Sequence, residues 1–281
     1  MKETSVLADL LMEQLGLASK PDLVRVASAI GLRIKEVESV GFEGALIRGK
    51  DVRKGIICVK SSIPEYTRKR FTIAHEIGHY VIPSHQRREN VCAVEEVESW
   101  RSGLNPAELE ANEFAAEFLL PTRLVRERLR VNTPSFQTII DTADDFETSL
   151  TATTRRFIEL TELACAMVWS QNGDARWFSR SDNFPFFLPL KELPHAESIA
   201  GQLFKRHSAP ADLSPLPAGL WLDRKDAEEL GHIYEQSLFM RHYDAVLSIL
   251  WFPDVPKIEE EGPLEELDPA DFTLGRRRWP R

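Results

Sequence analysis

The spacing of hydrophobic residues predicts two helices followed by a small sheet at the start of the chain. Apolar positions recur at helical intervals over residues 5–17 and 21–30. Shorter strand-like runs follow at 32–37, 43–48 and 55–60. We therefore expect two helices that lead into a sheet of three short strands.

Two strong amphipathic patterns come next. The first predicts a helix over residues 67–82, stopped by Pro83 because proline cannot continue a helix. A charged connection over 84–105 leads to the second, which begins near Pro106 and ends before Pro121. Together with the preceding segments, these helices predict one α+β domain.

The rest of the chain divides into three further parts. Residues 122–163 contain three helical pieces, LVRERL, FQTIIDTADDF and LTATTRRFIELTEL, with the size and rhythm of a helix-turn-helix. Strand-like segments then surround Asn172 and Gly173, a type I′ hairpin signal, and predict a second α+β domain. The end is acidic and then basic, which indicates a mobile or partner-docking tail. The expected parts are 1–121, 122–163, 164–255 and 256–281.

Composition and charge narrow the classes of function. With 43% hydrophobic residues the chain can bury ordinary cores, and its net charge of -9 disfavours a protein that coats nucleic-acid duplexes. The cysteines Cys58, Cys92 and Cys165 are far apart without a CxxC pair, which disfavours a disulfide framework or a thiolate zinc site. The chain has neither a signal-peptide pattern nor a run of about 18 apolar residues, so we expect a cytoplasmic protein without membrane contact.

The segment FTIAHEIGHYVIP carries the strongest chemical signal. On a helix, positions i and i+4 share a face, so His75 and His79 present two imidazoles to one point, with Glu76 about a quarter-turn away. Two neutral imidazoles supply half of a tetrahedral zinc site, and a catalytic site adds one more protein ligand and a water. We expect Glu76 to act on that water as the general base.

The third metal ligand is expected on the next helix, NPAELEANEFAAEFLLP. Glu108 and Asn112 share a face, so Glu108 can ligate while Asn112 holds an imidazole through a hydrogen bond. Glu110 would point about 160° away from Asn112, and it is kept as the alternative ligand. Glu113 and Glu117 are interpreted, like Glu110, as a charged outer face of the helix.

These motifs together resemble a known family. KRFTIAHEIGH, preceded by GIICVKSS and followed by ELEANEFAAEFLLP, resembles the ImmA/IrrE zinc metallopeptidases over about residues 5–125. The resemblance implies a gluzincin-like fold with Zn²⁺ as cofactor, and HExxH completed by a Glu on the following helix. It also implies that the substrate is a helix-turn-helix repressor, whose cleavage switches on a stress, DNA-damage or phage-defence response. The later segments resemble the longer IrrE-like branch, whose last domain is GAF-like, and the CapP-type protease of CBASS antiphage operons is a close variant.

The manner of substrate binding can also be predicted in part. In zincins an extended substrate usually pairs with an edge strand, and GIICVKSS is the natural candidate because it comes directly before the metal helix. The group that stabilises the oxyanion stays open among Tyr66, Tyr80, His85 and arginines of the connection.

Two other classes of function stay open. The segment LTATTRRFIELTEL could be a DNA recognition helix with Arg155 and Arg156 near phosphates, although residues 121–180 hold eight arginines and eight acidic residues and so show no basic enrichment. The third class is a metal-dependent binder that sequesters a repressor without cutting it. Incubation with the repressor separates the three classes.

Cys92 raises a question of regulation. It lies 13 residues beyond His79, and its thiolate could occupy the fourth zinc position as an inhibitory ligand. A small molecule or single-stranded nucleic acid at the C-terminal domain would then release it. The competing interpretation is a small buried apolar residue, as cysteine often is.

Overall fold

Helices and strands alternate along the chain in a mixed α+β fold, as predicted. In the computed structural model of the protein, the described residues are 3–49, 53–85, 90–92, 105–223 and 230–253, with the backbone alone at 90–92. The tail expected at 256–281 and most of the 84–105 connection lie outside them. No helix in the described ranges has both the length and the apolar character needed to cross a bilayer.

The N-terminal part confirms the expected order of two helices, a sheet and two more helices. Its elements are α1 Glu3–Gln14, α2 Leu23–Ala29, β1 Leu32–Val37, β2 Gly44–Arg48, β3 Gly55–Lys60, α3 Tyr66–Val81, β4 Asn90–Cys92 and α4 Pro106–Leu119. The strand β4 was not expected from the sequence. It adds a fourth strand within the described part of the sheet.

The strand order corrects one prediction. The sheet runs β1-β3-β2-β4, so β3, which contains most of GIICVKSS, lies inside it. Its backbone pairs with β1 in parallel register (Leu32 with Gly55) and with β2 in antiparallel register (Gly44 with Val59). The prediction that GIICVKSS is a free edge strand is therefore wrong, because both of its hydrogen-bonding edges are already used.

The pair α3 and α4 forms the framework of the site. The α4 helix begins sharply because Asn105 caps it, accepting a hydrogen bond from the Ala107 backbone N–H at 3.2 Å, with Pro106 in its first turn. The helices approach closely at Gly78, where a Cβ would lie only 3.0 Å from the Phe114 ring. Glycine therefore lets α4 lie directly against α3.

The described C-terminal part contains four α-helices and a second sheet. Its elements are α5 Thr122–Leu129, α6 Phe136–Phe146, α7 Leu150–Leu160, β5 Ala164–Gln171, β6 Asp174–Arg180, α8 Ile199–Arg206, β7 Ser214–Pro217, β8 His232–Met240 and β9 Ala245–Phe252. The strands run β6-β5-β9-β8-β7 with antiparallel neighbours. Asn172 and Gly173 both have positive φ (54° and 84°), which confirms the predicted I′-type hairpin between β5 and β6.

This second sheet is buried on both faces. Alternate residues of β5 face opposite sides: Ala166 and Val168 pack toward α8, whereas Cys165 and Met167 pack toward α5–α7. The helices expected as a separate helix-turn-helix segment thus share one hydrophobic core with the sheet that follows them. The apolar faces of α5–α7 pack against that sheet.

Candidate metal centre

Three side chains from α3 and α4 converge on one buried point. The Glu108 Oε2 atom lies 3.1 Å from His75 Nε2 and 3.3 Å from His79 Nε2, and the two Nε2 atoms are 3.0 Å apart. Both histidines are fully buried, and Glu108 is nearly so. Each of the three residues offers one potential metal-ligand atom, and these atoms all lie within 4.8 Å of one another.

The spacing of these atoms fits a tetrahedral metal ion. Two ligands about 2.0–2.1 Å from zinc, in tetrahedral arrangement, lie about 3.3 Å from each other. The three measured separations of 3.0, 3.1 and 3.3 Å are close to that edge length. Two imidazoles and one carboxylate are also a donor set found in catalytic zinc sites. The residues present therefore fit a zinc ion with one position left open.

Asn112 holds one of the two rings. Its Oδ1 atom accepts a hydrogen bond of 2.9 Å from His75 Nδ1, because an amide oxygen can only accept. This contact places the proton of His75 on Nδ1 and leaves Nε2 turned toward Glu108. The helical spacing that predicted Glu108 and Asn112 on one face is thus realised in the structure.

Glu76 lies beside the site and against the first residue of β2. It is fully buried. A Cβ built on Gly44 would stand 2.6 Å from Glu76 Oε1 and 2.6 Å from Thr72 Cγ2. The absence of a side chain at Gly44 therefore creates the space that the Glu76 carboxylate occupies.

The electrostatic balance favours an ionised Glu108. Burial raises the pKa of this carboxyl, but hydrogen bonds from His75 and His79 outweigh burial and hold its pKa well below the ordinary value. Burial lowers the pKa of His79, and its contact with Glu108 offsets this only in part. Burial also lowers the pKa of His75, but its hydrogen bond to Glu108, the charges of Glu76 and Glu108 and its contact with Asn112 outweigh burial and raise that pKa. A metal ion would displace the ring protons that face Glu108, because it requires a carboxylate and unprotonated Nε2 atoms.

The comparisons with known proteins agree with this geometry. The IrrE N-terminal-like domain of peptidase family M78 matches residues 27–164, which include all three converging residues. This match supports an ImmA/IrrE family for the chain. Its M78 domain supports a peptidase role.

Outside the family match, the similarities concern the fold alone. A Mycobacterium tuberculosis transcriptional regulator has a similar structure, with a TM-score of 0.51 and 10% sequence identity over 89% of this chain and 77% of that chain. No curated protein matches the chain.

Glu110, the alternative ligand, contacts His85 rather than the metal-binding point. Its Oε2 atom accepts a 2.9 Å hydrogen bond from His85 Nε2, and His85 Nδ1 lies 3.0 Å from His79 Nδ1. The two residues therefore stand behind His79, on the side away from Glu108. The sequence names Glu110 and His85 as candidates but does not predict their contact, because the contact depends on a 3-10 turn over Pro83–His85.

The other glutamates of α4 make structural contacts. Glu113 accepts a 3.2 Å hydrogen bond from Thr4 Oγ1 of α1. Glu117 is buried and forms an ion pair with Arg156, so the prediction that it belongs to a charged outer face is wrong. It also accepts a 2.7 Å hydrogen bond from the Thr122 N–H at the start of α5. Glu117 thus links α4 to the helical layer of the second sheet.

The remaining candidates occupy different positions. Tyr66 donates its hydroxyl to Glu147 at 3.3 Å, and the Tyr80 ring packs under the Arg48 guanidinium at 5.3 Å. Cys92 is the last residue of β4, and its backbone lies opposite Gly44 of β2. The Cys92 side chain and the arginines of the connection lie outside the described residues.

Proposed function

We propose that this chain is a zinc-dependent endopeptidase that cleaves a helix-turn-helix repressor and so derepresses a stress, DNA-damage or phage-defence response. The observation that carries the proposal is the 3.0–3.3 Å triangle of His75, His79 and Glu108, with Glu76 buried beside it. The match to the M78 peptidase family supports the same activity.

The residues divide the chemical work as follows. His75, His79 and Glu108 would hold a zinc ion, which would supply Lewis-acid activation of a water and of the substrate carbonyl. Glu76 accepts the proton of the attacking water and returns it to the leaving amine. Asn112 fixes the orientation of the His75 ring through its 2.9 Å hydrogen bond. Peptide hydrolysis by this route needs no covalent acyl-enzyme.

The strand that aligns the substrate is reassigned to β4. Among the described strands of the first sheet, β1 and β4 are the outer ones. The strand β4 pairs with β2, and β2 begins at Gly44, where the Glu76 carboxylate lies. An extended peptide added beside β4 would run along the same side of the sheet as the general base. We therefore infer that β4 provides the backbone partner for substrate.

The alternative of a DNA-binding regulator is weakened by the contacts of α7. Arg156, one of the two candidate phosphate ligands, binds the Glu117 carboxylate and donates to the Leu120 carbonyl at 3.2 Å. Arg155 pairs with Glu159 at 3.3 Å. The apolar face of α7 is buried against the second sheet, so a recognition role would require these contacts to break.

The C-terminal sheet and its helices are proposed as the sensor of the activating signal, with a GAF-like fold. A small molecule or single-stranded nucleic acid is the proposed activator.

The test is incubation of the zinc-loaded protein with the repressor encoded beside its gene. Fragments that depend on zinc and vanish in Glu76→Gln, a variant that keeps the three ligands, would support the endopeptidase. A retarded duplex DNA band without fragments would favour the regulator, and a stable uncut complex would favour sequestration. The matched measurement is zinc content, which Glu76→Gln should leave unchanged while cleavage falls by orders of magnitude.

A further inference from the structure

A chain of three side chains leads from the surface of the protein to His79. Glu110 is partly exposed, its Oε2 atom lies 2.9 Å from His85 Nε2, and His85 is buried. The other nitrogen of His85, Nδ1, lies 3.0 Å from His79 Nδ1, and the two ring centroids are 4.9 Å apart. The chain ends at His79 Nε2, which faces Glu108 at 3.3 Å.

The direction of the hydrogen bonds follows from elementary chemistry. A carboxylate oxygen accepts hydrogen bonds, so in this contact His85 Nε2 donates to Glu110 Oε2. In a neutral imidazole the other nitrogen is then an acceptor, and His79 Nδ1 must donate to it. This leaves the lone pair of His79 on Nε2, on the side where a metal ion between His79 and Glu108 would bind. One carboxylate thus favours the metal-binding tautomer of a ring two steps away.

The reverse arrangement is incompatible with metal binding. If His85 Nδ1 carried the proton, His79 Nδ1 would accept it, and the proton of His79 would sit on Nε2 in the position that the metal needs. Glu110 would then face the unprotonated Nε2 of His85, and two acceptors would meet at 2.9 Å. The contact to Glu110 therefore selects the tautomer that can ligate.

His75 and His79, the two proposed metal ligands, are oriented by different hydrogen-bond partners. His75 donates directly to Asn112 at 2.9 Å, whereas His79 donates to a second imidazole that is itself held by a carboxylate. Such partners orient the ring and raise the basicity of the ligating nitrogen. We propose that His85 and Glu110 are positioning residues for zinc, acting through His79; this deepens the proposed function and rests on it.

The experiment measures the zinc dissociation constant by chelator competition, without reference to cleavage. Glu110→Ala and His85→Leu should each weaken zinc binding about 10–100-fold. Glu110→Gln, whose amide oxygen still accepts, and His85→Asn, whose oxygen replaces Nδ1, should lose less than those variants. Glu113→Ala is the matched control, since Glu113 lies on the same helix and binds Thr4 instead.

The pattern of rescue separates positioning from simple packing. Thermal unfolding of the metal-free variants identifies any that fail to fold, and those are replaced by their conservative partners. If Glu110→Ala and His85→Leu bind zinc as tightly as Glu113→Ala, or if the conservative variants lose as much as the others, the inference is overturned. If the wild-type protein itself binds no zinc, the proposed function fails first, so the two failures are distinguishable.

Discussion

Arg70 of α3 forms an ion pair with Glu147, in the turn between α6 and α7, at 3.2 Å. The same carboxylate accepts hydrogen bonds from Lys20 at 2.6 Å and from Tyr66 at 3.3 Å. Glu147 adopts a left-handed backbone with φ of 53°, which turns it toward these partners. The helical layer of the C-terminal sheet is therefore tied to the first turns of the helix that carries His75 and His79.

This link should depend on pH in a defined direction. The hydrogen bond from Lys20, with the Arg70 charge, holds the pKa of Glu147 below its ordinary value. A lowered folded-state pKa stabilises the protein above the unfolded pKa, and this contribution is lost as pH falls through the folded value. We expect Glu147→Gln to cost about 0.5–1 kcal/mol of unfolding free energy near neutral pH and almost nothing in strong acid.

Denaturant titrations of the wild type and Glu147→Gln at both pH values check this prediction. The matched control is Glu127→Gln, which removes an exposed glutamate of α5. A stability difference that persists undiminished in acid would contradict the assigned role of Glu147.

The ligand Glu108 offers a test that does not involve substrate. Glu108→Ala removes one of the three ligand atoms and leaves two imidazoles 3.0 Å apart. We expect zinc content to fall severely and cleavage to disappear with it, because the carboxylate contributes both a bond and a charge. Metal analysis after dialysis measures the loss. Full zinc occupancy in Glu108→Ala would show that the third ligand is another residue.

Some of this arrangement was predictable because it is local. The i, i+4 spacing places His75 and His79 on one face, and the same rule joins Glu108 to Asn112. Each pair lies within a single helix, so the phase of the helix decides it. The contact between the two helices then follows from Gly78, which has no side chain to hold α4 away.

Other features depend on how distant segments meet. The strand order β1-β3-β2-β4 is set by tertiary pairing, and sequence order alone suggested that β3 was exposed. Glu117 was expected on a charged surface, but its partner Arg156 lies 39 residues away and buries it. The sequence predicted three helical pieces over 122–163, but it could not name the sheet against which α5–α7 pack.

Gly44 should be required for the position of the general base. An alanine Cβ there would stand 2.6 Å from Glu76 Oε1, too close for either atom to remain in place. We expect Gly44→Ala to retain zinc, because the atoms nearest to that Cβ belong to Glu76 and Thr72 rather than to the three ligands, yet to reduce cleavage at least 10-fold by displacing Glu76. Gly41→Ala is the control, since its Cβ would meet nothing within 4 Å. Equal activity in both variants would contradict the inference that Gly44 makes room for the Glu76 carboxylate.

Cys92 remains the proposed inhibitory ligand of the resting enzyme. Its backbone on β4 lies opposite Gly44, the residue whose missing side chain makes room for Glu76. Because β4 pairs with β2, the Cys92 backbone lies one strand away from Gly44, which adjoins the general base Glu76. A thiolate in the open fourth position would exclude the attacking water. We expect Cys92→Ser and Cys92→Ala to raise cleavage in the absence of a signal.

X-ray absorption of the zinc-loaded wild type provides the direct measurement. An inhibitory thiolate requires a sulfur neighbour at about 2.3 Å, which the Cys92 variants should lack. Cys58→Ala is the control, because Cys58 is buried in β3 and its loss should leave the zinc shell unchanged. A shell of nitrogen and oxygen alone, with equal basal cleavage in all variants, would make Cys92 a packing residue. Restraint would then have to act through access to β4 or through the Arg70–Glu147 link, which Glu147→Gln weakens.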